Sequence, residues 1–247
     1  LLWSFVLGFG GAFISLLMSK QLARAGLRAA RITQPRTADE ELLYRTVQYL
    51  ARRLQITMPE VWVYDSPDPN AFATGPTKNN AMVAVSTGLV RHLDEQGVRA
   101  VLAHEMGHVF NGDMFTTTVL MGLMNTFVYF ISNIIARHIA ERNQMLAFVA
   151  YFFIQTVLSF LAMIPICYFS RRREFAADRY AATAFGADAM ISALQGIDRF
   201  VKAARIQYST QDALATMKIS GNTKGWMHLF ATHPPIEARI AALRRPA

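Results

Sequence analysis

Cysteine and acidic residues are scarce in this chain of 247 residues. Its one cysteine, Cys167, excludes a disulfide framework and a metal site built from cysteine thiolates. Lying in an apolar run, Cys167 is predicted to pack as a small hydrophobic residue. Charged residues make up only 17% of the chain, and 53% is hydrophobic. An ordinary soluble domain of this size is less apolar, so the composition indicates a membrane protein.

Three long stretches contain no charged residue: residues 1–19, 114–135 and 145–169. About 20 apolar residues span the hydrocarbon core of a bilayer as a helix, so the first stretch nearly spans it and the other two exceed that length. The small residues of the first predict close approach by another helix: Gly8, Gly10, Gly11 and Ala12. The alternative for the second and third is an apolar hairpin buried in protein or lying in the interface. We predict that they cross the membrane as a pair, because two crossings return the chain to the side where it entered.

Basic residues cluster directly after the apolar stretches, with no acidic residue among them. They are Lys20, Arg24, Arg28, Arg31 and Arg36 after the first, and Arg171, Arg172 and Arg173 after the last. Basic clusters can bind nucleic acid, but beside apolar stretches the positive-inside rule explains them better and places these ends in the cytoplasm. No nucleic-acid partner is expected. Since the chain begins inside an apolar stretch, we expect it to be a piece of a longer protein, and no basic segment precedes that stretch to suggest a secretory signal.

The pattern H-E-x-x-H occurs at residues 104–108. Apolar residues at helical spacing predict a helix from Val98 to Val109, with Asp94 as its N-cap. His104 and His108 then lie on one helical face, where both can bind a single zinc ion. Glu105 lies beside them, placed to take a proton from the attacking water. One Zn²⁺ per chain is therefore predicted.

A third protein ligand is needed for such a zinc site. Cysteine is excluded by count, and no further histidine has metzincin spacing. Glu174 and Asp178 are four residues apart on a predicted helix, so both can face the metal. We predict that Glu174 binds zinc and that Asp178 accepts the free N–H of a ligand histidine, which fixes its tautomer. The alternative is a surface glutamate paired with Arg171, Arg172 or Arg173.

Strand composition appears between residues 60 and 86, just before the metal-binding helix. We predict a strand at Glu60–Tyr64 and a β-hairpin over residues 70–86, with a turn that begins at Gly75-Pro76 and ends in Lys78-Asn79-Asn80. Zinc proteases commonly hold a substrate as an added strand on such an edge. The predicted substrate-binding edge consists of Asn70, Ala71, Phe72 and Ala73. The alternative is an ordinary structural strand.

Other helices are marked by caps and breakers. Thr37 and Glu40 form a predicted capping box that opens a helix ending near Leu54. Towards the end of the chain we predict helices over residues 174–184, 188–204 and 236–244, with a glycine-interrupted loop at 209–226.

Several motifs together resemble the HtpX family of bacterial membrane-bound heat-shock proteases, which is related to the CAAX prenyl endopeptidases. They are His-Glu-Met-Gly-His followed by Asn-Gly-Asp, the upstream Asn-Ala-Phe-Ala-Thr-Gly, and the downstream Arg-Glu-Phe-x-Ala-Asp and Thr-His-Pro-Pro. The resemblance covers essentially the whole chain. It implies a gluzincin-like zinc endopeptidase of the bacterial inner membrane, with its site facing the cytoplasm and a role in membrane-protein quality control under stress. It also implies a further membrane helix upstream.

The resemblance carries site residues with it. His104, His108 and Glu174 match the zinc ligands, and Glu105 matches the general base. His233 and Arg239 match a pair thought to steady the oxyanion in the prenyl proteases. For His233 a helix-capping role in the Pro-rich turn is the alternative. The chain departs from the family at the variable position of Arg-Glu-Phe-x-Ala-Asp, where histidine is frequent and this chain has alanine.

The resulting expectation is a mainly α fold with a small β-hairpin or sheet and transmembrane helices. Residues 1–19 form a transmembrane helix, 20–113 the first part of a cytoplasmic catalytic domain, 114–170 a transmembrane hairpin, and 171–247 the second part, which carries the third ligand. Protein substrates, in particular membrane proteins, and the lipid bilayer are the expected partners.

Three other functions fit parts of the pattern. A protease cutting within the bilayer would have its motif inside an apolar span, whereas Arg99, Asn111 and Asp113 flank this one. A catalytically silent metal-bound scaffold would not need Glu105. A CAAX-type prenyl protease would need a chamber of more membrane helices than the three apolar stretches supply.

Overall fold

The computed structural model describes residues 2–27, 29–208 and 229–245, with the side chains of 205–208 excepted. Helices predominate, with one small sheet, as the composition and periodicity predict. The helices are α1 (Leu2–Leu17), α2 (Ser19–Gly26), α3 (Ala38–Leu54), α4 (Thr87–His92), α5 (Glu95–Asn111), α6 (Asp113–Ala140), α7 (Gln144–Phe185), α8 (Ala187–Tyr208) and α9 (Ile236–Leu243). The strands are β1 (Ala29–Arg31), β2 (Glu60–Tyr64), β3 (Ala71–Thr77) and β4 (Asn80–Ser86). The predicted loop at 209–226 lies outside the described residues.

Two of the described helices, α6 and α7, are long and apolar enough to cross a membrane. Helices α1 and α2 are long and apolar enough for a third crossing only when they are taken together as one broken span. The chain bends by 59° between them. Helix α1 packs on α6 at Gly8, where an added Cβ would lie 2.7 Å from the backbone nitrogen of Thr126. Gly10 and Gly11 have nothing within 4 Å of such an atom. Close approach therefore occurs at Gly8 and not at the next two glycines.

The sheet has the strand order β1-β2-β4-β3, with β2 and β4 parallel and the outer pairs antiparallel. The chain reverses at Lys78 and Asn79, within the predicted turn, but the predicted start of that turn at Gly75-Pro76 is wrong, because β3 continues to Thr77. Gly75 has φ +149°, and a Cβ there would lie 2.3 Å from the Asn80 carbonyl oxygen. Pro76 has no backbone N–H to donate to the sheet, and the pairing of β3 with β4 shifts register between Thr74 and Thr77.

One hydrophobic core joins the sheet to α3, α5 and α8. Its fully buried members include Leu43, Leu50, Val83, Val85, Leu102, Met106 and Leu194. Helix α3 begins as predicted, with Thr37 Oγ1 accepting from Glu40 N–H, and Glu40 reaching back to the N–H of Arg36. This core fixes α5 against the sheet, which places the H-E-x-x-H face beside the free edge of β3.

Helix α7 runs without interruption for 42 residues and contains Pro165. The apolar stretch at 145–169 and the predicted helix at 174–184 are thus one element, which ends at Gly186 with φ +95°. Its final third packs on α5, where Ala177 is fully buried against Gly107. A larger side chain at residue 177 would separate the two helices, which gives a physical reason for alanine at this position.

Candidate active site

Helix α5 presents the H-E-x-x-H residues at the end of a well-capped element. Asp94 accepts from the N–H of Gly97 at 2.7 Å, and Gly112 ends the helix in the left-handed conformation with φ +66°. His104 is buried and His108 partly buried. Their Nε2 atoms lie 3.2 Å apart, so the two imidazoles converge on one point.

Glu174 of α7 faces the same point. Its Oε1 lies 3.3 Å from Nε2 of His108, and its Oε2 lies 3.6 Å from Nε2 of His104. These three residues form a group whose ligand atoms all lie within 4.8 Å of one another. The arrangement combines two adjacent ligands from one helix with a third from another.

Carboxylates hold the far side of both histidine rings. Asp178 Oδ1 lies 2.9 Å from Nδ1 of His104, and Asp113 Oδ2 lies 2.5 Å from Nδ1 of His108. Because an ionised carboxylate only accepts hydrogen bonds, each Nδ1 carries the proton and each Nε2 presents its lone pair. Asp178 was predicted for this contact from its spacing to Glu174.

The role of Asp113 was missed by sequence reasoning, which used it only as a polar residue that flanks the H-E-x-x-H motif. Asp113 is the first residue of α6, directly after Gly112, and this sharp change of direction turns its side chain back to His108. Its Oδ1 pairs with Nη1 of Arg173 at 2.7 Å. A carboxylate five residues after the second histidine, just beyond a helix-ending glycine, is the signal that could have found it.

The geometry fits a divalent metal ion. Two Nε2 lone pairs that face each other at 3.2 Å repel unless a cation or proton lies between them. A tetrahedral zinc with bonds of about 2.0–2.1 Å would hold two nitrogens roughly 3.3 Å apart. Around this point the carboxylates outnumber the guanidinium groups by two, which favours a cation. The groups are Glu105, Asp113, Glu174 and Asp178 against Arg173 and Arg239.

Protonation at His108 responds to these neighbours. Burial alone would lower the pKa of His108, but hydrogen bonds to Asp113 and Glu174 raise it to about 10. A proton held on Nε2 would occupy the same place as an ion, so metal binding would release it.

Glu105 is joined to the edge strand β3. Its Oε2 accepts from the backbone N–H of Ala73 at 2.9 Å. Burial raises the pKa of Glu105 above its ordinary value, against the effect of the two histidines. A raised pKa favours a carboxylate that must take up a proton and later return it.

The free edge of β3 faces the site. Asn70 is turned towards β4, because its carbonyl oxygen accepts from Ser86 N–H at 2.9 Å. Backbone groups alternate along a strand, so those of Ala71 and Ala73 point away from β4 and those of Phe72 towards it. Of the predicted edge residues, Ala71 therefore offers both backbone groups to an added strand, whereas Ala73 offers only its carbonyl oxygen, because its N–H donates to Glu105.

His233 and Arg239 both reach Glu174 but in different ways. Nδ1 of His233 lies 3.0 Å from Glu174 Oε2, while 66% of its side chain stays exposed, and this contact raises the pKa of His233. Arg239 is almost fully buried and binds both oxygens of Asp178, at 2.6 and 2.8 Å. It also lies 3.2 Å from Glu174. Arg239 is thus committed to the two carboxylates, whereas His233 is open to the cavity.

A cavity of about 550 Å³ lies over these groups. One wall consists of Asn70 and the first residues of β3, up to Thr74, and the cavity is also lined by His104, Glu105, His108 and Glu174. Another wall comes from α1, α2 and α6, through Ser15, Leu16, Ser19, Met114, Thr117 and Thr118. Helices from the apolar part of the chain therefore border the site directly.

Fold and site together define a membrane-bound metalloprotease. The model for peptidase family M48 matches residues 37–247, and the chain belongs to this family. It is 45% identical to a protease HtpX homolog of Neisseria meningitidis serogroup B, over 99% of this chain and 86% of the relative. It is 42% identical to protease HtpX of Pasteurella multocida, with the same coverage.

The crystal structure of S. mikatae Ste24p is similar in fold. The TM-score is 0.71 at 19% sequence identity, and the match covers 98% of this chain and 58% of the Ste24p chain. At this identity the likeness establishes the architecture alone.

Proposed function

We propose that this protein is a zinc-dependent endopeptidase that cleaves membrane or misfolded proteins at the cytoplasmic face of the bacterial inner membrane. Its role would be membrane-protein quality control under stress. The observation that carries the proposal is the convergence of His104, His108 and Glu174 on one point, with Glu105 beside it and hydrogen-bonded to the edge of β3.

His104, His108 and Glu174 would hold the ion, which leaves a fourth position open. A zinc ion, when bound, supplies Lewis-acid polarisation and makes water acidic enough to react near neutral pH. Asp178 and Asp113 keep the histidines in the tautomer that presents Nε2, which raises their basicity as ligands.

Glu105 would act as the general base. Its carboxylate takes a proton from the attacking water and passes it to the leaving amine of the cleaved peptide bond. The raised pKa of Glu105 suits both transfers. Its hydrogen bond to Ala73 N–H holds the carboxylate at the strand edge where a peptide would lie.

His233 is favoured over Arg239 as the donor to the oxyanion. Arg239 uses its guanidinium to hold Asp178 and Glu174, so its role is to orient carboxylates. His233 lines the cavity, and the raised pKa keeps its imidazole protonated over a wider range. A donor aimed at the oxyanion commonly contributes about 10²-fold or more in rate.

Substrate would bind as an extended strand along Asn70–Ala73, through the outward backbone groups of Ala71 and the carbonyl oxygen of Ala73. The wall from α1 and α6 supports membrane proteins as the substrate class, because a segment emerging from the bilayer beside these helices enters the cavity directly. The three arginines that follow the apolar part of α7 support a cytoplasmic site.

The test is cleavage of a panel of membrane and unfolded proteins by wild type and Glu105→Gln in detergent, with bound zinc quantified. We expect both proteins to bind one zinc per chain and only wild type to cleave. Glu95→Gln is the matched control, because Glu95 lies on the same helix and pairs with Arg99 at the surface. Cleavage that persists in Glu105→Gln overturns the mechanism, and zinc binding with no cleavage by wild type supports the scaffold alternative.

A further inference from the structure

The side chain of His233 lies at the end of a short segment, residues 229–233, which leads into α9. Because two-thirds of this side chain is exposed, surrounding packing does little to restrict it. Its distance from Glu174 therefore depends on where the backbone of the 229–233 segment lies.

Helix α7 holds this backbone through Arg171. Nη1 of Arg171 donates to the carbonyl oxygens of Leu229 at 3.1 Å and Ala231 at 2.6 Å. Arg171 is only 9% exposed. Hydrogen bonds from a guanidinium are charge-assisted and stronger than neutral ones. The planar guanidinium also fixes the direction of the bonds it makes.

Two more contacts dock the same segment on α7. Cys167 Sγ lies 3.3 Å from the carbonyl oxygen of Phe230, and the Phe230 ring stacks on Phe160 with centroids 4.2 Å apart. These contacts hold Phe230, whereas Arg171 holds the residues on both sides of it. Of these contacts, the one from Arg171 to Ala231 is nearest in sequence to His233, which follows Ala231 by two residues.

Spacing along α7 links this docking to the site. Arg171 precedes Glu174 by three residues, so both project from one face of the helix. A backbone bound to Arg171 is therefore carried along this face, and it brings Nδ1 of His233 to within 3.0 Å of Glu174.

We infer that Arg171 is a positioning residue, which holds the 229–233 backbone so that His233 meets Glu174 and keeps its second ring nitrogen for the oxyanion. This inference rests on the proposed function for its effect on rate. Its structural part, the placement of His233, stands on the contacts themselves.

The test is a double-mutant cycle with Arg171→Met, His233→Ala and the combined variant, measured as kcat and KM on an unfolded labelled polypeptide in detergent. His233→Ala should lower kcat by about 10²-fold. Arg171→Met should lower kcat about tenfold or more with little change in KM or zinc content, and the combined variant should be no slower than His233→Ala. Arg172→Met is the matched control, since Arg172 is adjacent to Arg171 in the sequence but its side chain is exposed. If Arg171→Met caused only a general structural defect, its effect on kcat would multiply with that of His233→Ala, and the combined variant would be slower than His233→Ala. This result would overturn the inference.

A second measurement does not depend on cleavage. The rate at which diethyl pyrocarbonate modifies His233, relative to exposed His138, is followed by mass spectrometry. Arg171→Met should raise this rate, because the contact with Glu174 is lost. An unchanged rate overturns the inference, whereas a raised rate without any wild-type proteolysis supports the placement of His233 and counts against the proposed function alone. If Arg171→Met does not accumulate, Arg171→Lys is used in both measurements, with the same coupling to His233 expected.

Discussion

Asp113 and His108 form a contact across the junction of two helices, with Asp113 Oδ2 2.5 Å from Nδ1 of His108. The other oxygen of Asp113 pairs with Arg173, close to Glu174 on α7. One carboxylate thus connects the helix that supplies two candidate ligands to the helix that supplies the third.

Replacing Asp113 by Asn should weaken zinc binding. The amide lacks the charge that supports the Nδ1–H of His108 and that pairs with Arg173. Loss of such a partner typically costs about 10–100-fold in metal affinity. Competition with a chromogenic chelator measures this affinity. Asp198→Asn is the control, because Asp198 pairs with Lys202 at the surface. An affinity for zinc equal to wild type in Asp113→Asn would show that this contact does not tune the site.

Removing the metal should abolish cleavage and lower the thermal midpoint of unfolding. A ligand that binds only the folded state stabilises it, and here it also separates the facing lone pairs of His104 and His108. Added zinc should restore both properties. The matched comparison is Glu174→Ala, whose unfolding midpoint should not respond to chelator. A wild-type midpoint that is insensitive to chelation would contradict the site.

Gly8→Val should loosen the packing of α1 on α6. A side chain at Gly8 would run into the backbone of Thr126, and overpacking of this kind costs roughly 1–3 kcal/mol. Gly11→Val serves as control, since nothing lies within 4 Å of a Cβ there. Thermal unfolding in detergent reports the difference. Cleavage by Gly8→Val should also fall, because α1 lines the cavity. Equal unfolding midpoints for the two variants would argue against the α1–α6 contact.

Glu60 ties α2 to the sheet through Lys20, at 2.8 Å, and Arg24. Burial would raise its pKa, but hydrogen bonds from Lys20, Trp62 and Arg24 lower it to about 2. A depressed folded-state pKa contributes stability above the unfolded value near 4.5, and this contribution is lost as pH falls towards about 2. Glu60→Gln should therefore unfold at a lower temperature than wild type at pH 7.

The same comparison, repeated at falling pH, provides the check. The gap between wild type and Glu60→Gln should narrow between about pH 4.5 and pH 2. Glu41→Gln is the control, because its pair with Arg45 is exposed. If the difference in unfolding temperature did not change with pH, the ion pairs of Glu60 would not make stability depend on pH.

Sequence reasoning succeeded where the signal is local. Helical periodicity and the Asp94 cap predict α5, and the lengths of the apolar stretches predict α6 and most of α7, since both depend on residues close together in the chain. It failed where tertiary pairing decides the structure. β1 is three residues long and forms only by pairing with β2, so its sequence looks like a basic linker.

The site shows the same division. His104 and His108 share a helical face because of their spacing, but the pairing of Arg173 with Asp113 joins residues 60 positions apart and has no local signature. Likewise, Arg171 looks like one of three arginines that obey the positive-inside rule, and only the fold distinguishes it from exposed Arg172.

Helix α7 joins the membrane and the metal-binding group without a flexible connection. At about 1.5 Å per residue its 42 residues extend roughly 63 Å. A bilayer that is too thin or too thick for the apolar part changes the tilt of a helix, and we expect α7 to carry that tilt to Glu174, which follows the apolar part on the same helix. We therefore expect the geometry of the proposed third ligand to depend on bilayer thickness, so that lipid composition would affect the metal site itself.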